Sequence, residues 1–596
     1  MQILRQMITI ILSQTDRLAG LKIMNYELRF RPYGRDYFYL KKVTTQILHC
    51  NGFKLFPGSN PAAFTRTGKN MERKFLMGNE AVALGALHAG VARGVGYPGT
   101  PSSEILDVFS KLGGKAEWAP NEKVAAEVAL GVSFAFQRAL VTMKHVGLNV
   151  AADVLFTAAY SGVDGAMVFV VADDPGLASS QNEQDTRRYA VAAAVPLLEP
   201  GDSQQAYEFT RLAFEISEKW KIPVILKLTT RVCHSGAVVT PAKPLTAVEL
   251  PKARFERNIP YHVMVPGHAR PAHRRLREKL SQIAEWNETE GPNTRIEGSG
   301  ELGIIVSGIA YQHAREAAPD ASFFKVGMSY PMPIDGITKF VESVDRAVVI
   351  EENDPYMADA IRAAGVEIES APRMYRFGEL NVNRVKKILA GDTTPEPAPA
   401  KGVPPQLCKG CPHRYTFEIL KKLNCIVAGD IGCYTLAALE PIAAMDTQIC
   451  MGASIGVGLG LRHVLPPEAA KRVVSVIGDS TFVHSGLTGL AEMAYNVPET
   501  GHVLLILDNS TTAMTGLQEH PGTGRTLDRN ETNKLDYEKV ARAMNIPNVM
   551  AFDPFKQSRR LEEAILAALD KDELTVIVVR RPCILAAARA GRQKNV

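Results

Sequence analysis

Beyond residue 70 the chain alternates two kinds of hydrophobic pattern. Apolar residues recur at helical spacing in "EILDVFSKL" (104–112) and "NEKVAAEVALGVSFAF" (121–136), and between such stretches lie short β-branched runs, "ALVTMKH" (139–145), "AMVFVVADD" (166–174) and "IPVILKLTT" (222–230). That alternation predicts α/β domains built on parallel sheets. The first block runs from 71 to 245. A polar stretch rich in Arg, His and Pro, 246–300, reads as a connector, and a second unit, 301–390, opens with "ELGIIVSGIAYQHAREAA" and continues through "AVVIEEN". Residues 391–405 form a proline-rich, semi-rigid linker by composition. The third block, 406–596, carries the sharpest chemistry; there is no internal sequence repeat, although the first and third blocks are compatible with one shared architecture.

One turn in the first block is unusually crowded. "YPGTPSSEI" (97–105) follows the small apolar run "GVARGVG". Pro and Gly are ordinary turn residues there, and Ser102 or Ser103 is placed to cap the helix that follows.

Residues 1–70 read differently from the rest, with no sustained period of 3.6 or 2. They hold eleven Lys and Arg against three Asp and Glu, a balance of +8 within a total of +5, which leaves residues 71–596 at −3. The basicity therefore belongs to one end and does not argue for nucleic-acid binding by the remainder. Met71 opens the regular patterning, so 1–70 is expected to be a basic extension upstream of the native start; mass spectrometry that finds peptides upstream of Met71 overturns this. No apolar run approaches the roughly 18 residues that span a bilayer. "MITIIL" is too short for a signal-peptide core. Eight cysteines in 596 residues suit a reduced, cytoplasmic setting better than a disulfide framework.

In the third block the strand-like "RVVSVIGD" ends in Gly478, Asp479 and Ser480. The strand-like "HVLLILDN" ends in Asp508 and Asn509, thirty residues after Asp479, with "GLTGLAEMAYN" between them as a crossover helix. Both polar ends then lie at the carboxyl edge of adjacent parallel strands, where open α/β sheets bind ligands. A carboxylate and an amide oxygen held close there suit Mg²⁺, which takes oxygen ligands and is completed by phosphates and water. Gly-Asp-Ser alone is a weak signal, because Asp after Gly at a strand end is most often a turn.

Gly-Asp-Gly, some thirty residues, then Asn-Asn is the diphosphate motif of thiamine diphosphate enzymes, and "GDS…DN" resembles the variant found in 2-oxoacid:ferredoxin oxidoreductases. More narrowly, "CKGCPHR", "GDIGCYTL", "GDSTFVHSG" and "LDNSTTAMTGLQEHPGTG" resemble the large, alpha subunits of indolepyruvate ferredoxin oxidoreductases, with a likeness from about Met71 to Ala587. The resemblance implies a multi-domain thiamine diphosphate-binding α/β fold, with parallel-sheet pyrimidine (71–245) and diphosphate (406–596) domains and a transketolase C-terminal-like domain (301–390) between them. It implies Mg²⁺ held by Asp479, Asn509 and the main-chain carbonyl of Thr511, and cofactor contacts from Gly478 and from Ser480, which stands where the motif usually has Gly. Thr100 would offer its hydroxyl to a 2-oxoacid. Glu127 would hydrogen-bond the aminopyrimidine ring, where a carboxyl favours the tautomer that removes the proton from the thiazolium carbon; without the family, Glu127 is a charge on a solvated helix face.

Cys408 and Cys411 form a Cys-x-x-Cys pair, which alone fits a zinc site or a redox dithiol. With Cys433 and Cys583 the resemblance implies the four thiolates of a [4Fe-4S] cluster; Cys50, Cys233, Cys425 and Cys450 read as structural. Among His145, His413, His484 and His520, which lie in or beside the motifs, His484 is the candidate to face the reacting centre. In "PGLASSQNEQDTRR", Asn182 or Arg187 is a candidate contact to the substrate carboxylate or coenzyme A, with a plain surface loop as the alternative. The expected reaction converts an aryl-pyruvate such as indolepyruvate and coenzyme A to aryl-acetyl-CoA and CO₂, with electrons passed to ferredoxin. The expected partners are a small beta subunit, in a hetero-oligomer, and ferredoxin, with no nucleic acid and no membrane. The family's large subunit continues into a cysteine-dense ferredoxin-like domain beyond the position of "AAARAGRQKNV"; the expectation is that this domain is a separate chain, was lost, or lies past an early end of the reading frame, which bears on electron export to ferredoxin and not on the thiamine chemistry. Non-oxidative decarboxylation and an inactive scaffold subunit are the alternatives.

Overall fold

The computed structural model describes residues 73–245, 251–397 and 405–593. The basic extension 1–70 and part of the 391–405 linker lie outside the described residues. Three sheets carry the architecture. The first has seven strands in the order Met328–Tyr330, Leu197–Leu198, Val224–Thr229, Ala166–Asp173, Arg138–Lys144, Arg93–Gly96 and Ala116–Trp118. All its neighbours are parallel except the pair Met328–Tyr330 and Leu197–Leu198. The third has five strands, all parallel, in the order Ile426–Ala428, Val473–Gly478, His502–Asp508, Leu574–Arg580 and Asn548–Phe552. Between them in sequence lies a five-stranded sheet over Thr294–Ser370 with one antiparallel edge strand, Thr294–Ile296.

The β-branched runs form central strands because both faces are covered. Along His502–Asp508, Val503, Leu505 and Leu507 join one core with Phe417 and Leu561, while Leu504 and Ile506 join another with Phe482 and Tyr537. Each such side chain, fully buried, is worth about 1.5–3 kcal/mol.

Two features differ from the sequence reading. The stretch expected as a connector contains the 24-residue helix Pro266–Thr289, whose Leu276, Leu280 and Ile283 pack into the first domain's core. Its high density of Arg and His masked an apolar stripe at helical spacing. The strand Met328–Tyr330, from the middle unit's stretch of sequence, completes the edge of the first sheet, so the first and middle units share a sheet as well as a boundary.

That boundary also buries charge. Arg187 is 1% exposed and donates to both carboxylate oxygens of Asp185, to Glu351 Oε2 (2.7 Å) and to the Glu352 carbonyl (2.9 Å). Glu351 also accepts from the Met357 and Ala358 amides at the start of the helix Tyr356–Ala363. The guanidinium proposed as a substrate contact is therefore spent on interdomain structure. Asn182 is exposed, and its carbonyl accepts from His145 Nε2 at 3.1 Å.

Candidate active site between the first and third sheets

The carboxyl ends of the central strands of the first and third sheets face a common cavity of about 170 Å³. From the first sheet, Tyr97–Thr100 follow the strand Arg93–Gly96, and Lys144 ends the strand Arg138–Lys144; Gly478, Asp479, Ser480, Asn509 and Thr511 line it from the third. Neighbouring strands in register, Gly478 opposite Leu507, bring Asp479 and Asn509 side by side. All of the expected diphosphate-side residues are thus brought together, and Thr100 stands on the opposite wall.

The turn after Asn509 is closed by the Asp479 carboxylate, whose Oδ1 accepts from the Ser480 amide (2.9 Å) and Oδ2 from the Ser510 amide (2.7 Å). Ser510 takes φ of +59°, a left-handed conformation that turns the chain directly after this contact. Asn509 is oriented by His413. Burial pulls the His413 imidazole down to about 4, against the weaker opposing pull of Asp479, so it is neutral. Its Nε2 accepts from Asn509 Nδ2 at 3.1 Å, which leaves Asn509 Oδ1 as the amide oxygen on the other side, where the Thr511 amide donates to it at 3.1 Å. His520 Nδ1 accepts from the Gly522 amide, and its Nε2 stands 3.4 Å from Asp479 Oδ2 without forming a hydrogen bond.

Ser480 has a use the motif does not suggest. Its hydroxyl is 2.8 Å from the Tyr97 hydroxyl and accepts from Thr512 Oγ1 at 2.8 Å, tying the first domain to the third. In the same loop Ser102 donates to the Gly99 carbonyl and Ser103 makes no side-chain cap, so neither serine performs the capping expected of it. The turn is crowded because it forms a cavity wall.

The acid on the first-domain wall is Glu122, not Glu127. Asn121 caps the helix Glu122–Phe134 by accepting from the Val124 amide, and its Nδ2 donates to the His484 carbonyl at 2.8 Å. Glu122, in the first turn, is 7% exposed and lines the cavity; its Oε2 is 2.8 Å from His484 Nε2. His484 sits in a π-helical turn, Phe482–Gly486, inserted between Asp479–Thr481 and the helix Leu487–Tyr495. Such turns are frequent at functional sites. Its Nδ1 is 2.7 Å from Ser485 Oγ and its ring packs edge-on to Tyr97 at 4.7 Å. Glu127 is 44% exposed, paired with Lys123 at i,i+4, and does not line the cavity. Five residues on an ideal helix rotate the side chain by about 140°, so the two carboxylates cannot share a face. The Lys123–Glu127 spacing is the signal that would have assigned Glu127 to solvent.

Glu122 is packed against a glycine. A Cβ at Gly147 would stand 2.4 Å from Glu122 Oε1 and 2.7 Å from its Cγ. Gly147→Ala is therefore expected to push Glu122 off His484 and to lower turnover about 10²-fold, the cost of roughly 1 Å of misplacement, with helix content unchanged by circular dichroism. Turnover within twofold of the parent would show that Glu122 has room to move.

The four cysteines expected to act together are electrostatic neighbours. Burial pushes the Cys433 thiol up to about 12, with further contributions from Cys411, Cys583 and Cys408. Cys411 is raised by burial and by Cys408 and Cys583. Among the described residues, no group of three or more His, Cys, Asp or Glu side chains converges as a metal site. No described helix is long and apolar enough to cross a membrane.

Comparison with known proteins matches both walls of the cavity. Residues 84–279 match the family described as pyruvate flavodoxin/ferredoxin oxidoreductase, thiamine diP-bdg, and residues 430–579 match thiamine pyrophosphate enzyme, C-terminal TPP binding domain. The chain is 39% identical to indolepyruvate oxidoreductase subunit IorA of Archaeoglobus fulgidus over 88% of each chain. It belongs to the IorA family. The IorA subunits of Pyrococcus abyssi (38% identity, 88% of each chain) and Methanothermobacter marburgensis (37%, 88% of this chain and 89% of that one) are similarly related. The expected thiamine diphosphate-binding α/β fold is thus borne out, and the IorA relatives are named as subunits, which fits a multi-subunit oxidoreductase.

Proposed function

We propose that the chain, with a small partner subunit, catalyses thiamine diphosphate-dependent oxidative decarboxylation of an aryl-pyruvate such as indolepyruvate. The 2-oxoacid, coenzyme A and two oxidised one-electron carriers give the acyl-CoA, CO₂, a proton and two reduced carriers, with ferredoxin as the carrier. The observation that supports this best is that Glu122, which His484 holds from behind, and Asp479 with Asn509 line a single cavity between the first and third sheets.

The residues present fit the cofactor in kind. Asp479 and Asn509 offer a carboxylate and an amide oxygen at neighbouring strand ends, the ligand chemistry of Mg²⁺; they and the Thr511 carbonyl would hold the metal, and Gly478 and Ser480 would contact the cofactor. Thiamine diphosphate, when bound, supplies a carbon nucleophile and electron sink. Glu122 holds a proton at Oε2 or returns it, His484 keeps that carboxylate oriented, and Thr100 offers its hydroxyl to the substrate. The Tyr97–Ser480 contact holds the two walls together and excludes water. The one-electron group of this reading is a [4Fe-4S] cluster on Cys408, Cys411, Cys433 and Cys583; among the described residues these thiols do not converge as a metal site, and the iron analysis decides it.

The test is anaerobic purification of the chain with its small subunit, followed by iron analysis, calorimetry with thiamine diphosphate and Mg²⁺, and coenzyme A-dependent viologen reduction by indolepyruvate. Iron near four per chain, cofactor uptake and coenzyme A-dependent reduction are expected. Aldehyde formation without iron would replace this reading with non-oxidative decarboxylation, and no cofactor uptake would remove it.

A further inference from the structure

The cavity wall contains two acids, Glu122 and Asp479, and one cation. Among the described lining residues, Lys144 is the only Lys or Arg. Its side chain is 10% exposed, and its Nζ donates to the Ser179 carbonyl (2.8 Å) and to Ser179 Oγ (3.1 Å). An ammonium has three donors, and no acceptor for the third is found among the described residues. The nearest carboxylate oxygen, Asp174 Oδ2, is 4.0 Å away and already accepts from the Ser179 amide and from Ser180 Oγ, while Oδ1 accepts from Thr230 Oγ1. Asp174 therefore neutralises Lys144 incompletely, and burial pulls the ammonium down to about 8.

The position of Lys144 is built, not incidental. A Cβ at Gly99 would stand 2.9 Å from Lys144 Cβ, so glycine is what lets the Tyr97–Thr100 loop lie against the lysine. Ser179 Oγ lies 3.4 Å from the Thr100 carbonyl, which makes Lys144, Ser179 and Thr100 one contact group on the wall opposite Asp479. Among the described side chains that line this cavity, an anion meets repulsion from both acids and a cationic group only at Lys144.

We propose that Lys144 is the carboxylate anchor of the site: its uncommitted N–H binds the carboxylate of the 2-oxoacid beside the Thr100 loop. This rests on the reading of the reaction given above. It makes Lys144 a determinant of substrate binding, with a preference for acids over neutral carbonyl compounds of the same shape.

The test uses the assembled complex and the variants Lys144→Met and Lys144→Arg, with indole-3-acetate and its amide as unreactive ligands followed by calorimetry. The parent is expected to bind the acid more tightly than the amide, and Lys144→Met to lose that preference and to raise the KM for indolepyruvate roughly 10- to 100-fold, the range for a hydrogen bond to a charged group. The KM for coenzyme A and the uptake of thiamine diphosphate should stay within twofold, and Lys144→Arg should retain part of the acid preference. An unchanged acid-to-amide ratio in Lys144→Met overturns the proposal, as does a rise confined to the KM for coenzyme A, which would assign the lysine to that ligand's phosphates. Should Lys144→Met not fold, the acid-to-amide ratio of the parent and of Lys144→Arg decides: no preference in the parent overturns the proposal. Loss of thiamine diphosphate uptake by the parent would instead strike the reaction assigned above, and the ligand comparison, which needs no turnover, still judges Lys144.

Discussion

Glu122→Gln is expected to lower kcat by roughly 10²- to 10⁴-fold, the range for removing a positioned acid–base group, while Glu127→Ala leaves kcat within twofold of the parent. The contrast follows from position on one helix. Glu122 is buried in the cavity wall with its Oε2 2.8 Å from His484 Nε2, whereas Glu127 is half in solvent beside Lys123. Glutamine keeps the shape of Glu122 and a polar partner for His484, so the fold is retained and the loss is confined to proton exchange at one oxygen. Steady-state kinetics of both variants, with calorimetric uptake of thiamine diphosphate as a control for an intact cavity, separates the two residues. A silent Glu122→Gln together with an inactive Glu127→Ala would return the role to Glu127.

The largest effect on stability is expected at Arg187. Arg187→Met leaves the Asp185 and Glu351 carboxylates buried without their cation, and breaking a buried pair in this way costs about 3–5 kcal/mol. The double variant Arg187→Met, Glu351→Gln should recover part of that loss, because the uncompensated charge is then smaller. Thermal unfolding followed by circular dichroism reads both, as a fall in the first transition and its partial return. The same junction has an unusual pH response. Burial pushes Glu352 up to about 7 from an ordinary value of 4.5, only partly opposed by Lys227. A carboxyl whose folded value is raised binds its proton more tightly in the folded state, so its contribution is complete below about 4.5 and is lost as pH rises through about 7. Glu352→Gln should flatten that part of the stability profile; an unchanged slope would mean that another group sets it.

Much of the architecture was legible in local pattern. The runs "AMVFVVADD", "RVVSVIGD" and "HVLLILDN" have strand patterns and fold as Ala166–Asp173, Val473–Gly478 and His502–Asp508, and the crossover "GLTGLAEMAYN" contains the helix Leu487–Tyr495. Their apolar residues are close in sequence and each strand is central, so the local signal and the tertiary demand agree. Asp479 and Asn509 were legible for the same reason: each ends its own strand, and parallel pairing with a helical crossover makes those ends neighbours.

Sequence alone thus determined the sheets, the crossover and the placing of the Asp479–Asn509 pair at one sheet edge, because these follow from periodicity and from a connection of fixed sense. Tertiary structure decided which of two glutamates, five residues apart, faces the cavity, because helix phase relative to a neighbouring domain is not written in either residue. It likewise decided that Arg187 joins domains instead of meeting substrate, that Lys144 stands with Thr100, and that His484 reaches Glu122 across more than 360 positions of chain. Such contacts depend on how whole sheets dock, and a single sequence records them only as isolated polar residues.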